Sequence, residues 1–180
     1  MNIHLVLADA IDLDPAVDLA RVKRCGPLWG SWRTWRACQT DNVVCYDPVK
    51  AMDLVKAEFQ NNCNLYIPKS VQVKKGTRVN QFEGNFGEHV TRNHDELIAV
   101  NLASTRADIV LLLGFDWATE TDLTNIQERN YRGLVLQAIK SKPDVQYILV
   151  DHTATLRPEL QDLPNLDRDT LTNIFGLLNV

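Results

Sequence analysis

Asp108-Ile109-Val110-Leu111-Leu112-Leu113-Gly114-Phe115-Asp116 is the stretch on which the fold turns. The apolar run is too short for an ordinary helix, and it is apolar at every position instead of every second one. Such a run reads as a strand covered on both faces, the central member of a parallel sheet. Three further runs have similar length and also stop on an aspartate: His4-Leu5-Val6-Leu7-Ala8-Asp9, Val43-Val44-Cys45-Tyr46-Asp47 and Tyr147-Ile148-Leu149-Val150-Asp151. Helix-like segments lie between them. Strands alternating with helices make βαβ units, so the expected architecture is an α/β, Rossmann-like, three-layer sandwich whose mostly parallel sheet has about five strands.

The intervening segments carry conventional signals. Asp14-Pro15 and Asp47-Pro48 each place an N-cap before a proline at the first helical position. The first of these helices should run to Arg24, and the second should bury Met52, Val55 and Phe59. Asn64-Leu65-Tyr66-Ile67 enters a third strand stopped by Pro68. Residues 69–87 read as a loop or small antiparallel excursion, with Ser70-Val71-Gln72-Val73-Lys74 alternating like an exposed strand. Helices are expected over 88–106 and 126–140, and a last amphipathic one over 167–178, capped by Asp167 or Asp169.

Size and composition bound the function. The 180 residues, 45% hydrophobic and 23% charged, suit one domain, residues 1–180, with a real core. A net charge of −4 offers no global attraction to nucleic acid or acidic membranes, and no run approaches a membrane span. The amino terminus enters a strand with no leader-type stretch, so a cytoplasmic protein is expected. Cys25, Cys38, Cys45 and Cys63 are 13, 7 and 18 apart, without a C-x-x-C, and read as buried free thiols.

Because ligands of open parallel sheets sit outside the carboxyl ends of the strands, Asp9, Asp47, Asp116 and Asp151 are expected along one rim. Asp47 has a plain alternative role as a helix cap. His152 follows Asp151 and is placed to act as acid or base. His89 and His94, five apart, fit neither a metal pair nor a dyad on one helix turn.

Residues 21–36 hold the most unusual chemistry. Arg21, Lys23, Arg24, Arg33 and Arg36 are accompanied by no acidic residue, and Trp29, Trp32 and Trp35 recur at a spacing of three. Read as a helix capped by Ser31, the tryptophans share a face. That face either docks on the core, stacks a phosphate-bearing ligand beside Arg33 and Arg36, or contacts a protein partner.

Residues 84–156 contain a specific resemblance. Gly87-Glu88-His89-Val90, a helix with Leu97, Ala99, Leu102 and Ala103, and the strand ending Gly114-Phe115-Asp116 resemble the Gly-x-Asp strand of sialyltransferase-like proteins. That family includes bacterial sialyltransferases and related flagellin-glycosylation domains. Glu120, Asn130-Tyr131-Arg132 and the strand leading into Asp151-His152-Thr153-Ala154-Thr155-Leu156 follow in similar order. The resemblance implies a nucleotide-sugar pocket beside Asp116, closed by the neighbourhood of Thr153 and Thr155. Ala8-Asp9-Ala10-Ile11-Asp12 stands where the family has a Gly-Asn-Gly-Pro-Ser loop, which implies a catalytically degenerate relative as readily as an active enzyme.

The expected function is therefore binding of a nucleotide or nucleotide-sugar. Asp116, Asp151 and His152 would be catalytic; Asp9, Trp32, Arg33, Arg36, Thr153 and Thr155 would hold the ligand. Two alternatives stand beside it. One is an assembly protein, such as a viral or phage component, that uses Trp29, Trp32 and Trp35 as contacts. The other is a phosphoryl-transfer enzyme or nuclease gathering Mg²⁺ on the aspartates.

Overall fold

The computed structural model describes residues 1–8, 19–83, 95–115, 126–150 and 163–180, with side chains in the helix that opens at residue 126 described from Gly133 onward. The described strands are β1 (Ile3–Leu7), β2 (Leu28–Ser31), β3 (Asn42–Val44), β4 (Asn64–Pro68), β5 (Asn80–Phe82), β6 (Ile109–Leu113), β7 (Gln146–Val150) and β8 (Leu166–Asp169). They form one sheet in the order β5-β4-β3-β2-β1-β6-β7-β8, and every pairing is parallel. The described helices are α1 (Leu19–Cys25), α2 (Trp32–Cys38), α3 (Pro48–Lys56), α4 (Asp95–Ser104), α5 (Ile126–Lys140) and α6 (Leu171–Leu178).

The α/β sandwich expected from the sequence is present, with eight strands instead of about five. The chain steps from β1 outward to β5, then returns past β1 to β6 and steps the other way. Right-handed crossovers must then change faces when the direction changes, and they do. α1, α2 and α3 cover one face. Leu5, Leu7, Leu111 and Leu113 pack there on Val22 and on Leu171, Ile174 and Phe175 of α6, while Val43, Leu65 and Ile67 pack on Ala51 and Leu54. α4 and α5 cover the other face, on Val6, Trp29, Val44, Tyr66, Leu112, Tyr147 and Leu149. Consecutive residues of β1 and β6 point to opposite faces, and both faces are buried, which is why these strands are apolar throughout.

Three expectations are corrected. Residues 28–31 form strand β2 instead of belonging to a helix that starts earlier. The segment 69–79 is a connection without a helix, returning Val71, Val73 and Val79 to the α3 face. It delivers β5 as a parallel strand at 80–82, not an antiparallel excursion with a strand at 70–74. Residues 166–169 form edge strand β8, so the final helix begins later, at Leu171, capped by Thr170 in place of Asp167 or Asp169. Asn165 secures this edge: its Nδ2 donates to the carbonyls of Ile139, Lys142 and Val145 at 3.1, 3.0 and 3.1 Å, tying β8 to the end of α5. Among the described residues no helix is long and apolar enough to cross a membrane.

Candidate functional site

The strand order reverses between β1 and β6, and an open parallel sheet binds ligands at the carboxyl end of such a switch point. Leu7 pairs with Leu113 and Leu113 with Val150, so β1, β6 and β7 end in one row. The segments that leave this row carry Asp9, Asp116 and Asp151. Those three residues, with His152, Thr153, Thr155, His89 and His94, lie outside the described residues. What is described is the approach to them. Ala8 extends the β1–β6 pairing by donating its N–H to Leu113 at 3.0 Å. Gly114 leaves β6 with φ of +73°, a conformation that costs any side-chain-bearing residue about 1–2 kcal/mol.

Asp47 is a helix cap. Its Oδ1 accepts the N–H groups of Val49 and Lys50 at 2.9 and 3.3 Å, with Pro48 at the first helical position. Among the described residues no group of three or more His, Cys, Asp or Glu is placed to hold a metal ion.

The tryptophan stripe is split by the sheet, because Trp29 belongs to β2 and points to the α4 face. There it is 1% exposed, with its indole N–H donated to His4 Nδ1 at 2.9 Å and its ring 5.0 Å from that of Tyr66. Trp32 and Trp35 lie on α2 and pack on the opposite face, Trp35 edge-on to Phe59 at 4.6 Å. Ser31 caps α2 as expected, accepting from the N–H groups of Arg33 and Thr34. A stripe shared by Trp29, Trp32 and Trp35 therefore does not exist.

Trp32 instead centres a cationic cluster. The guanidinium carbons of Arg33 and Arg36 lie 5.4 and 4.9 Å from its ring centroid, and Lys50 Nζ lies 4.6 Å away. α2 and α3 start directly after the ends of the neighbouring strands β2 and β3, so the cluster sits at the carboxyl edge of the sheet. Among the described residues no carboxylate forms an ion pair with Arg36 or Lys50. Such a group of cations attracts a polyanion and holds phosphate oxygens through charge-assisted bonds. The sequence alone does not single out Lys50, because its approach to Trp32 follows from the β2–β3 pairing, and β2 is not legible in the chain.

All four cysteines are free. Burial raises each thiol, Cys63 to about 12, and Cys45 still further with help from Asp95 and Asp47, so none is a ready nucleophile. No family model matches this chain, and no curated protein or solved structure shows significant similarity to it.

Proposed function

We propose that this chain binds a nucleotide or nucleotide-sugar at the carboxyl edge of its sheet, as a glycosyltransferase or as a degenerate relative of one. The observation that carries the reading is the cluster of Arg33, Arg36 and Lys50 around Trp32, on the edge where β1, β6 and β7 end in one row. In this reading the cations take the diphosphate. Asp116 and Asp151 follow β6 and β7 toward the sugar, Asp9 follows β1, and Thr153 and Thr155 help close the pocket. In the transfer reaction His152 accepts the acceptor hydroxyl's proton while the nucleotide leaves with the bonding pair, its new negative charge held by the arginines.

Isothermal titration with nucleoside monophosphates, diphosphates and sugar nucleotides tests the proposal. Saturable heat with a diphosphate-bearing ligand is expected, weakened about tenfold or more in Arg36→Gln and in Lys50→Gln, since a bond to a charged group contributes ~1.5–3 kcal/mol. Absence of heat with every nucleotide, or affinity in both variants unchanged from the parent chain, removes it. The assembly reading keeps one supporting observation. Val49, beside Lys50, is 73% exposed, and an apolar residue next to Trp and Arg suits a protein contact. A strictly monomeric chain by light scattering counts against that alternative.

A further inference from the structure

A second place on the molecule has the chemistry of a site, at the opposite, amino edge of the sheet. β1 and β6 pair from Ile3–Ile109 onward, whereas β2, β3 and β4 join the sheet only in the rows of Leu5 and Val6. Pro27 would lie opposite His4 and has no N–H to offer a ladder. The resulting step leaves a cleft of about 450 Å³ on the α4 face, with walls that include His4, Trp29, Asn42, Tyr66, Arg106 and Asp41. That volume falls within the roughly 300–1,000 Å³ of small-molecule sites.

The walls are rich in unused donors. His4, Asn42 and Tyr66 are 5%, 6% and 7% exposed. His4 Nδ1 accepts the Trp29 indole N–H, so the neutral ring carries its proton on Nε2. Asn42 Oδ1 accepts from Asn64 Nδ2 at 3.2 Å, and its own Nδ2 has no partner among the described residues. The Tyr66 hydroxyl has no partner among the described residues. Buried polar groups are normally satisfied. The fully enclosed unpartnered side-chain atoms among the described residues are Thr40 Oγ1 and Gln60 Oε1, so the donors of His4, Asn42 and Tyr66 reach the open volume of the cleft. Arg106 completes the set. Its guanidinium lies 5.4 Å from both the Trp29 and Tyr66 rings, and is held there by a bond from its Nη1 to the Leu102 carbonyl at 3.1 Å. Asp41 faces these groups with one carboxylate oxygen fixed by the Leu28 N–H at 2.9 Å.

We propose that this cleft binds a small molecule bearing an oxyanion. Its anionic end lies against Arg106, His4 Nε2, Asn42 Nδ2 and the Tyr66 hydroxyl, and a hydroxyl or amine faces Asp41. The three neutral donors and one guanidinium match carboxylate or phosphate oxygens, and Asp41 disfavours a ligand that is anionic throughout.

The test is an NMR titration of the intact chain with inorganic phosphate, glycerol phosphate and glycerate, with sodium chloride as the ionic-strength control. Saturable movement of the Trp29 indole N–H and of the His4 ring signals is expected with at least one of the three. Phosphate-bearing probes and glycerate separate the two headgroups. Arg106→Gln, at an exposed residue, should keep the circular dichroism spectrum and weaken binding about tenfold or more; Tyr66→Phe should keep the ring and weaken it several-fold. No saturable response to any probe up to about 10 mM, where even a ligand of millimolar Kd is mostly bound, overturns the proposal. So does unchanged affinity in Arg106→Gln.

Discussion

Asn165→Asp is the most demanding test of how the far edge of the sheet is held. Asn165 is 7% exposed, and its Nδ2 lies between three carbonyl oxygens at 3.0–3.1 Å. Two of them retain another donor: Ile139 O accepts from Lys142 N at 3.2 Å, and Lys142 O from Val145 N at 3.1 Å. Asn165→Ala therefore removes the shared donor without orphaning every carbonyl, and should cost about 1–3 kcal/mol. Asn165→Asp is nearly isosteric yet replaces a donor by an acceptor that carries charge at neutral pH. Burying that charge against three oxygens should bring the loss to about 3–5 kcal/mol. The sign of the pH dependence follows. Surroundings that disfavour the ionised form raise the carboxyl above its unfolded value, so the folded state holds the proton more tightly. Acidification should then bring Asn165→Asp closer to Asn165→Ala. Urea unfolding of the three proteins at pH 7 and pH 5, with the denaturant slope checked for constancy, measures this. If Asn165→Asp is no less stable than Asn165→Ala at pH 7, or the gap does not narrow in acid, the carbonyl clamp is not what holds β8.

The other expectations can be read from similar experiments. Gly26→Ala places a Cβ 1.9 Å from the Ile3 carbonyl oxygen, a backbone atom that cannot swing aside, and should lose about 2–3 kcal/mol by thermal or urea unfolding; a loss under 0.5 kcal/mol contradicts the close approach of α1's exit to β1. His4 is held below the ordinary histidine value first by burial and then by Arg106. The unfolded chain binds that proton more readily, so this contribution to stability is complete above about pH 6.5 and is lost as pH falls through the folded value; the acid slope should flatten in His4→Gln. The thiols should resist iodoacetamide at pH 7.5 in the native protein and react promptly in urea, because burial raises all four, and rapid native labelling of Cys45 or Cys63 contradicts their placement.

The strands legible in the sequence are those that sit inside the sheet and are apolar because both faces are covered. β1, β6 and β7 are runs of that kind, and β3 and β4 follow from their β-branched or aromatic content between turn signals. The two edge strands were not legible for the opposite reason. β5 is Asn80-Gln81-Phe82 and β8 is Leu166-Asp167-Arg168-Asp169, short and polar as unpaired edges must be, with no periodicity to expose them. β2 failed differently. Trp29, Trp32 and Trp35 have helical spacing, yet Ser31 caps a helix only two residues beyond Trp29, so the first tryptophan belongs to the strand before the cap. A cap signal inside an apparent stripe should have divided it.

The same failure explains why neither cluster could be assembled from the chain alone. The carboxyl-edge cations needed the β2–β3 pairing that brings Lys50 to Trp32, and the amino-edge donors come from the openings of β1, β3 and β4 and the residues after α4. Both depend on rows of the sheet, not on spacing along the sequence. The amino-edge cleft depends further on a step between rows, where side chains stand in for the missing ladder: Asp41 takes the Leu28 N–H, and Asn64 bonds Asn42 across β3 and β4. Asp41→Ala frees the Leu28 N–H while leaving the strands around it intact. If the step is a built site, that variant should retain most of its stability, because water can reach the exposed Asp41 position, and should lose discrimination between glycerate and a monocarboxylate without hydroxyls, because the group facing the ligand's hydroxyl is gone. A variant that unfolds outright would mean that Asp41 serves the sheet, and that the cleft is a gap between strands of unequal length.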